Sequence, residues 1–469
     1  MPEYLYPDLC VIGGGPAGLA AASIARAHGA GVVVVERDAM GGNDHYRGSV
    51  PARALGEAAR RANAIHTAAQ FGISVGAPDT RLLRVRDHIA GLSAGLSMDV
   101  SAVRYEAIGA RLLKAEARFT DHRTLDAGGI LVRARHFIIA TGSEPIAGEI
   151  PGLNGVEHFT EESIFANIEL PGHLVVIGGG PRGVEFAQAY RRFGADVTLI
   201  DPAPLQDADA ELAEVVLRRL RDEGISIYPG PVASVSPGIG VALAGGETIT
   251  ATHILIVRQR KPAIDRLDLE AAGLRRDRSD PNHLAVRRNL TTTNSRIYAV
   301  GDAAGGKSGQ LAIHQAGLAV EGALFGARVV NEPELLPSAV FTDPEIAEVG
   351  LTEQMARTRL RTRYRVLRAS FGENQRARLG RRSYGLVKVI AGLDGRVLGA
   401  GVAGPEAAEL ISLLAFAVGR RLKVGDLAGF YAPYPTLAQI IPALVLENAP
   451  ARRQNPVRAA MMAIRRVLP

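Results

Sequence analysis

Leu9–Glu36 reads LCVIGGGPAGLAAASIARAHGAGVVVVE. An apolar run, a cluster of glycines, an alanine-rich stretch and four valines give strand, turn, helix and strand. Gly13 and Gly15 permit the tight turn and the close approach of a pyrophosphate to the backbone, and Gly18 lets the helix pack on the strand. The helix N-terminus adds a favourable dipole for phosphate. Glu36 ends the second strand, where a carboxylate accepts both ribose hydroxyls of an adenosine. A glycine fingerprint alone is weak evidence, but strand, helix and acid are all in place here.

The pattern then repeats. Leu174–Asp201 is LVVIGGGPRGVEFAQAYRRFGADVTLID, with Gly178, Gly180, Gly183 and a terminal Asp201. Gly178 follows Gly13, and Asp201 follows Glu36, by the same 165 positions. Two complete dinucleotide sites in one chain imply two bound nucleotides, for which a flavin and a nicotinamide are the economical pair. Asp201 accepts a 2′-hydroxyl and repels a 2′-phosphate, so NADH is expected ahead of NADPH.

Length and composition set bounds around these sites. The 469 residues suffice for two or three domains, and 47% hydrophobic with 22% charged residues is ordinary for a soluble globular chain. No apolar run reaches the roughly 20 residues of a membrane span, and no basic-then-apolar leader precedes Leu9, so a cytoplasmic location is expected. The single cysteine, Cys10, excludes an internal disulfide and lies in an apolar strand, where burial is a better account than nucleophilicity. No metal site is expected. The net charge of +6 is concentrated in Arg357–Arg382. Without aromatic residues in a stacking pattern, that run reads as solvated faces rather than a nucleic-acid surface.

Gly41–Leu55, GGNDHYRGSVPARAL, follows the first site. It resembles the active-site helix of the flavin-dependent pyridine nucleotide-disulfide oxidoreductases, the family of dihydrolipoamide dehydrogenase, glutathione reductase and mercuric reductase. The family pattern there is Gly-Gly-Thr-Cys, four residues, Cys-Ile-Pro-Ser-Lys. Gly41, Gly42, Gly48, Pro51, Ala54 and Leu55 keep the frame, while Asp44 and Ser49 stand at the cysteine positions and Arg53 at the lysine. Further matches are HFIIATGSEP at His136–Pro145, RIYAVGDA at Arg296–Ala303, Gln310–Ala316, and PSAVFTDPEIAEVGLTE from Pro337. Together the matches run from about Asp8 to Asn448.

The resemblance implies an α/β protein with two Rossmann-like dinucleotide-binding domains, for FAD and NAD, and a C-terminal α+β dimerisation domain. Its boundaries are 1–147 with 265–336 for FAD, 148–264 for NAD and 337–455 for the interface. It implies FAD contacts from Gly13, Gly15, Gly18, Glu36, Gly41, Gly42, Ala115, Thr141, Gly142 and Asp302, and nicotinamide-nucleotide contacts from Gly178, Gly180, Gly183, Glu185, Asp201 and Val232. Glu185 is expected to pair with Arg53 beside the flavin, although a plain helix-to-helix salt bridge would look the same. Gln259, where the family has glycine, is expected to crowd the nucleotide.

The family's His-Pro-Thr segment, which moves the dithiol's proton in the partner subunit's site, is here Tyr434-Pro435-Thr436, with Gln439 for a glutamate. Loss of both cysteines, the histidine and the glutamate removes one function, the dithiol chemistry. The expected activity is a diaphorase, passing hydride from NADH to FAD and on to a quinone or other small-molecule acceptor. Arg53, Glu185, Asp44, Ser49 and Tyr434 would surround the reaction. A soluble transhydrogenase and a non-catalytic, regulatory flavoprotein remain as alternatives. A homodimer without nucleic acid is expected. Beyond Pro456 the pattern Val457, Met461, Ile464, Leu468 predicts a basic amphipathic helix over 456–469, docked on the protein itself or on a membrane surface.

Overall fold

The strand–turn–helix–strand of Leu9–Glu36 forms as the sequence demands, with strands at Leu9–Ile12 and Val32–Glu36 and a helix at Pro16–Ala27. The structure is a computed structural model that describes residues 3–76, 78–306, 308–448, 461 and 464. It divides into two compact units, the first made of Met1–Gln206, Leu217–Leu336 and Val340–Thr342, the second of the rest.

The first unit contains two parallel five-stranded sheets. One has the order Ile297–Ala299, His136–Ile139, Leu9–Ile12, Val32–Glu36, Arg111–Lys114. The other runs Phe159–Thr160, His253–Ile256, His173–Ile177, Asp196–Ile200, Ser226–Tyr228. In both, a central strand leads into a fingerprint turn and a helix, Pro16–Ala27 or Pro181–Phe193. Apart from His173 at the start of one of them, the central strands are apolar because both faces are covered. Cys10 is one of these buried residues, and burial pushes its thiol well above the ordinary range. An antiparallel ribbon of Ser143–Ile146 with Gln259–Pro262 joins the segments that leave the two sheets. Gln259 lies exposed on that ribbon opposite Ile146.

The second unit is built on a five-stranded sheet, in the order Ser338–Val340, Glu345–Gly350, Val397–Gly404, Leu386–Gly392, Tyr364–Ser370. The apolar helix Ala407–Gly419 packs on it through Ala407, Ile411, Leu414 and Ala417. Residues 207–216, which the sequence assigns to the nicotinamide domain, cluster with this unit. The cause is polar as well as apolar: Asp209 bonds Lys388 at 2.8 Å, and Leu212 packs beside Gly401.

Local readings differ from the structure in one stretch. A helix followed by a strand pair is expected over 81–113, but the helix Leu82–Leu96 leads to a 3-10 turn and a second helix, Ala102–Ala107. Ser101 caps that helix by accepting the Arg104 N–H, a local bond that favours helix over strand. Only Arg111–Lys114 then pairs as a strand before the next turn. In the arginine-rich run, Arg357 bonds Glu353, Arg368 bonds Glu211 and Glu353, and Arg382 bonds Glu406 and Asp343. Apart from Met461 and Ile464, which are helical and exposed, the expected C-terminal helix lies outside the described residues. No helix among the described residues is long and apolar enough to cross a membrane.

Candidate functional site

The two fingerprint turns are built alike. Gly13 has φ +108° and a Cβ there would lie 2.3 Å from Ala140 O; Gly178 has φ +117° and its Cβ would lie 1.9 Å from Val257 O. At Gly18 and Gly183 the helix crosses its own turn so closely that a Cβ would meet Gly13 O at 1.9 Å and Gly178 O at 1.8 Å. Beside Gly15 and Gly180, by contrast, a Cβ would meet nothing within 4 Å. These two glycines are the N-caps of their helices, so the open space lies where unpaired N–H groups and the helix dipole favour a phosphate.

The acids at the strand ends are held from behind. Glu36 Oε2 accepts the Gly14 N–H and Oε1 accepts the Asp38 N–H at 2.7 Å. Asp201 Oδ2 accepts the Gly179 N–H and Oδ1 the Ala203 N–H, both at 2.7 Å. Each carboxylate oxygen keeps a lone pair for a ribose hydroxyl. Ala115 donates its N–H to Glu36 O at 3.1 Å, which sets the next strand beside this acid. Val232 begins a three-stranded antiparallel sheet of the second lobe, at a bulge opposite Leu243.

On the side expected to carry a flavin, Gly41 and Gly42 have φ of +101° and +62°, and the Gly41 N–H bonds Gly14 O at 2.8 Å. Gly142 has φ +65° with open space at its Cβ. Next to it, Thr141 Oγ1 is buried and has no hydrogen-bond partner among the described residues. Buried hydroxyls are rarely left so, and this one fits a polar group of a bound cofactor. Asp302 Oδ2 accepts from Ser143 Oγ, which accepts from Arg260 Nε at 2.7 Å. Arg260 in turn pairs with Glu161 and Glu162, and Glu162 accepts from Asn43 Nδ2 at 3.2 Å. Gln315, buried on the helix Gly309–Phe325, fixes the turn before Asp302 by accepting the Gly301 N–H at 2.8 Å. Neighbouring His314 is exposed.

Between the lobes of this unit, the helix Ser49–Thr67 packs on the helix Pro181–Phe193. Asp44 Oδ1, on the preceding helix Gly42–Tyr46, accepts the Ser49 N–H at 3.0 Å and so satisfies one of the open N–H groups at the start of the first helix. Ser49 Oγ accepts from Arg182 Nη2 at 2.8 Å. Glu185 Oε2 lies 3.1 Å from Arg182 Nη1, and Oε1 accepts the Phe341 N–H at 2.8 Å. The Arg53 guanidinium stacks over the Phe341 ring. Glu185 thus draws an ion pair from its own helix, three residues earlier, a partner that the sequence reading did not weigh. Arg182 occupies a variable position of the fingerprint, where no spacing rule draws attention to it.

Tyr434 belongs to the second unit, where it is largely exposed and bonds Gln375 through its hydroxyl. Among the described residues, no group of three or more His, Cys, Asp or Glu side chains is placed to hold a metal ion.

Comparison with known proteins agrees with this architecture. Residues 7–323 match the model of the family described as pyridine nucleotide-disulphide oxidoreductase, and residues 336–444 match the dimerisation domain of that family. The chain is 34% identical to a dihydrolipoyl dehydrogenase of Haloferax volcanii over 463 residues, 92% of this chain and 94% of that one. It is 33% identical to a mercuric reductase of Streptomyces lividans over 454 residues, again 92% and 94%. Among solved structures, LpdA from Mycobacterium tuberculosis superposes with a TM-score of 0.84 at 27% identity, covering 94% of this chain and 99% of that one. The flavoprotein disulfide reductase RclA from Escherichia coli gives 0.82 at 24% identity, with the same coverage, and shares the fold.

Proposed function

The chain belongs to the pyridine nucleotide-disulphide oxidoreductase family, whose members use FAD and a nicotinamide nucleotide, and from that premise we propose that it is a FAD-dependent NADH oxidoreductase of diaphorase type. Its acceptor is a non-disulfide oxidant such as a quinone. The observation that carries this reading is the pair Asp44 and Ser49 at the start of a helix lying between two complete dinucleotide sites. The relatives' named substrates include a dihydrolipoyl group. Exchange with a dithiol requires an enzyme thiolate pair, and the chain's single cysteine is buried in a strand.

Bound FAD supplies a two-electron relay between nicotinamide and acceptor. The protein's part is to hold and orient. Gly13, Gly15, Gly18, Glu36 and Ala115 would take the adenosine diphosphate of FAD, with Ala115 at the adenine; Gly41, Gly42, Thr141, Gly142 and Asp302 would line its remaining length. Gly178, Gly180, Gly183 and Asp201 take NADH, with Val232 on the same lobe. Arg53 brings a fixed positive charge that favours the anionic reduced cofactor. Glu185 keeps that region from being uniformly cationic. Asp44 and Ser49 offer a carboxylate and a hydroxyl, groups that hydrogen-bond a quinone carbonyl but take up no electrons. The family's dimerisation domain makes a homodimer the assembly in which Tyr434 would approach the partner's site.

The test is anaerobic addition of NADH to the FAD-loaded protein. We expect the flavin absorbance to bleach and a quinone to restore it. Restoration by NADP⁺ in place of the quinone would indicate a transhydrogenase, and an unbleached flavin would indicate a binding protein.

A further inference from the structure

Arg182, on the nicotinamide-side helix Pro181–Phe193, bonds across to the start of the flavin-side helix from one nitrogen and to Glu185 of its own helix from another. Nη2 donates to Ser49 Oγ at 2.8 Å, and Nη1 lies 3.1 Å from Glu185 Oε2. Neither end is free to drift. Ser49 is fixed by the Asp44 carboxylate on its N–H, and Glu185 by the Phe341 N–H on its other oxygen. The side chains of Arg182 and Glu185 are 27% and 14% exposed, so solvent screens the pair only partly.

We propose that Arg182 is a positioning residue for electron transfer between NADH and the flavin, holding Ser49 and Glu185 at a fixed separation and adding positive charge beside the flavin. This rests on the reading that NADH reduces FAD in this chain. The physical argument is geometric. A guanidinium is a planar fork whose nitrogens can serve two acceptors at once, whereas an ammonium is a point charge on a flexible stem. In a dithiol enzyme a covalent bond between two side chains would stiffen this helix start. Here the start is tied instead by the relay Asp44–Ser49–Arg182–Glu185–Phe341, which crosses from one nucleotide lobe to the other. Hydride transfer is steep in donor–acceptor distance, and small misplacements of the two rings are costly.

Two substitutions test this, each read by two measurements on FAD-loaded protein. Arg182→Met removes charge and fork together. At saturating NADH its flavin-reduction rate should fall about tenfold or more, with the half-saturating NADH concentration changed less than about threefold. The flavin midpoint potential, measured spectroelectrochemically without NADH, should move lower because a nearby cation favours the reduced form. Arg182→Lys keeps the charge and loses the fork, so the potential should stay near wild type while the rate still falls. Wild-type rate and potential in Arg182→Met would overturn the proposal. Should that variant fail to take up FAD, a wild-type reduction rate in Arg182→Lys would overturn it equally. Wild-type flavin that NADH does not bleach is a separate outcome and defeats the functional reading itself.

Discussion

At the scale of single residues, the two fingerprint acids differ in what they predict. Glu36 and Asp201 are held in the same way, each by two backbone N–H groups, so neither can swing away from a ribose. A 2′-phosphate brought to Asp201 would meet a fixed carboxylate, and like charges in contact cost enough to set specificity. NADH should therefore reduce the flavin with a higher kcat/KM than NADPH. Asp201→Gly should narrow that ratio by about tenfold, a difference of about 1.4 kcal/mol. Stopped-flow reduction with both nucleotides checks it; a wild-type preference for NADPH would remove Asp201 from this role. The glycines and acids of both sites were legible in the sequence because their demands are local. Gly13 must turn with positive φ, and Gly18 must admit Gly13 O. Arg182 was not legible, because its partner Ser49 stands 133 positions away and only helix packing brings them together.

At the scale of elements, the same division between local and distant information recurs. Strands such as Leu9–Ile12 and the helix Ala407–Gly419 follow from their own apolar patterns, whereas the helix Ala102–Ala107 depends on one serine cap within a stretch of mixed pattern. The polar knot of the second unit depends wholly on distant pairing. Buried Lys388, on the strand Leu386–Gly392, lies 2.8 Å from Asp209, 3.0 Å from Glu211 and 2.7 Å from Glu353. Beside them Glu348, on the strand Glu345–Gly350, accepts the Asp209 N–H at 2.9 Å. Burial pushes the Glu348 carboxyl up to about 7; the Asp209 N–H and Lys388 oppose the rise and the Asp209 charge adds to it. An unfolded glutamate titrates near 4.3, so between about 4.3 and 7 the folded state holds the extra proton. Stability from this group is thus greatest at the acid end, falls as pH rises through that window and is level above it. Glu348→Gln keeps a carbonyl to accept the Asp209 N–H and cannot ionise. It should raise stability at pH 8 by no more than about 4 kcal/mol and change little near pH 4.5. Thermal midpoints of both proteins across this range are the measurement, and parallel curves would exclude the assignment.

At the scale of the whole molecule, the chain keeps the architecture of its family, and the function proposed for it departs from that family at one chemical step. Both dinucleotide lobes and the dimerisation domain are present, and the single cysteine is 0% exposed; on the proposed reading Asp44 and Ser49 take the dithiol's positions. The fold was legible because glycine turns, apolar strands and interface residues recur at family spacings. The acceptor was not, because the remaining polar groups at that position, a carboxylate and a hydroxyl, suit many oxidants. The departure nevertheless makes a firm expectation. In an anaerobic titration, two electrons from NADH should take the protein straight to reduced flavin. No long-wavelength band of the kind a thiolate donates to oxidised flavin should form on the way, since no thiolate can lie beside the ring. Arsenite and thiol alkylators, which trap an exposed dithiol, should leave NADH–acceptor activity unchanged, because Cys10 is buried and its thiol is pushed up far from the thiolate form. Restoring both cysteines, with Asp44→Cys and Ser49→Cys, should at most bring back the band. Dihydrolipoyl turnover should not appear, because on the proposed reading Tyr434 and Gln439 take the places of the histidine and glutamate that manage its proton, and a phenol is a poor base at neutral pH. A stable long-wavelength band in the wild type that arsenite abolishes would show a working dithiol and refute the diaphorase reading.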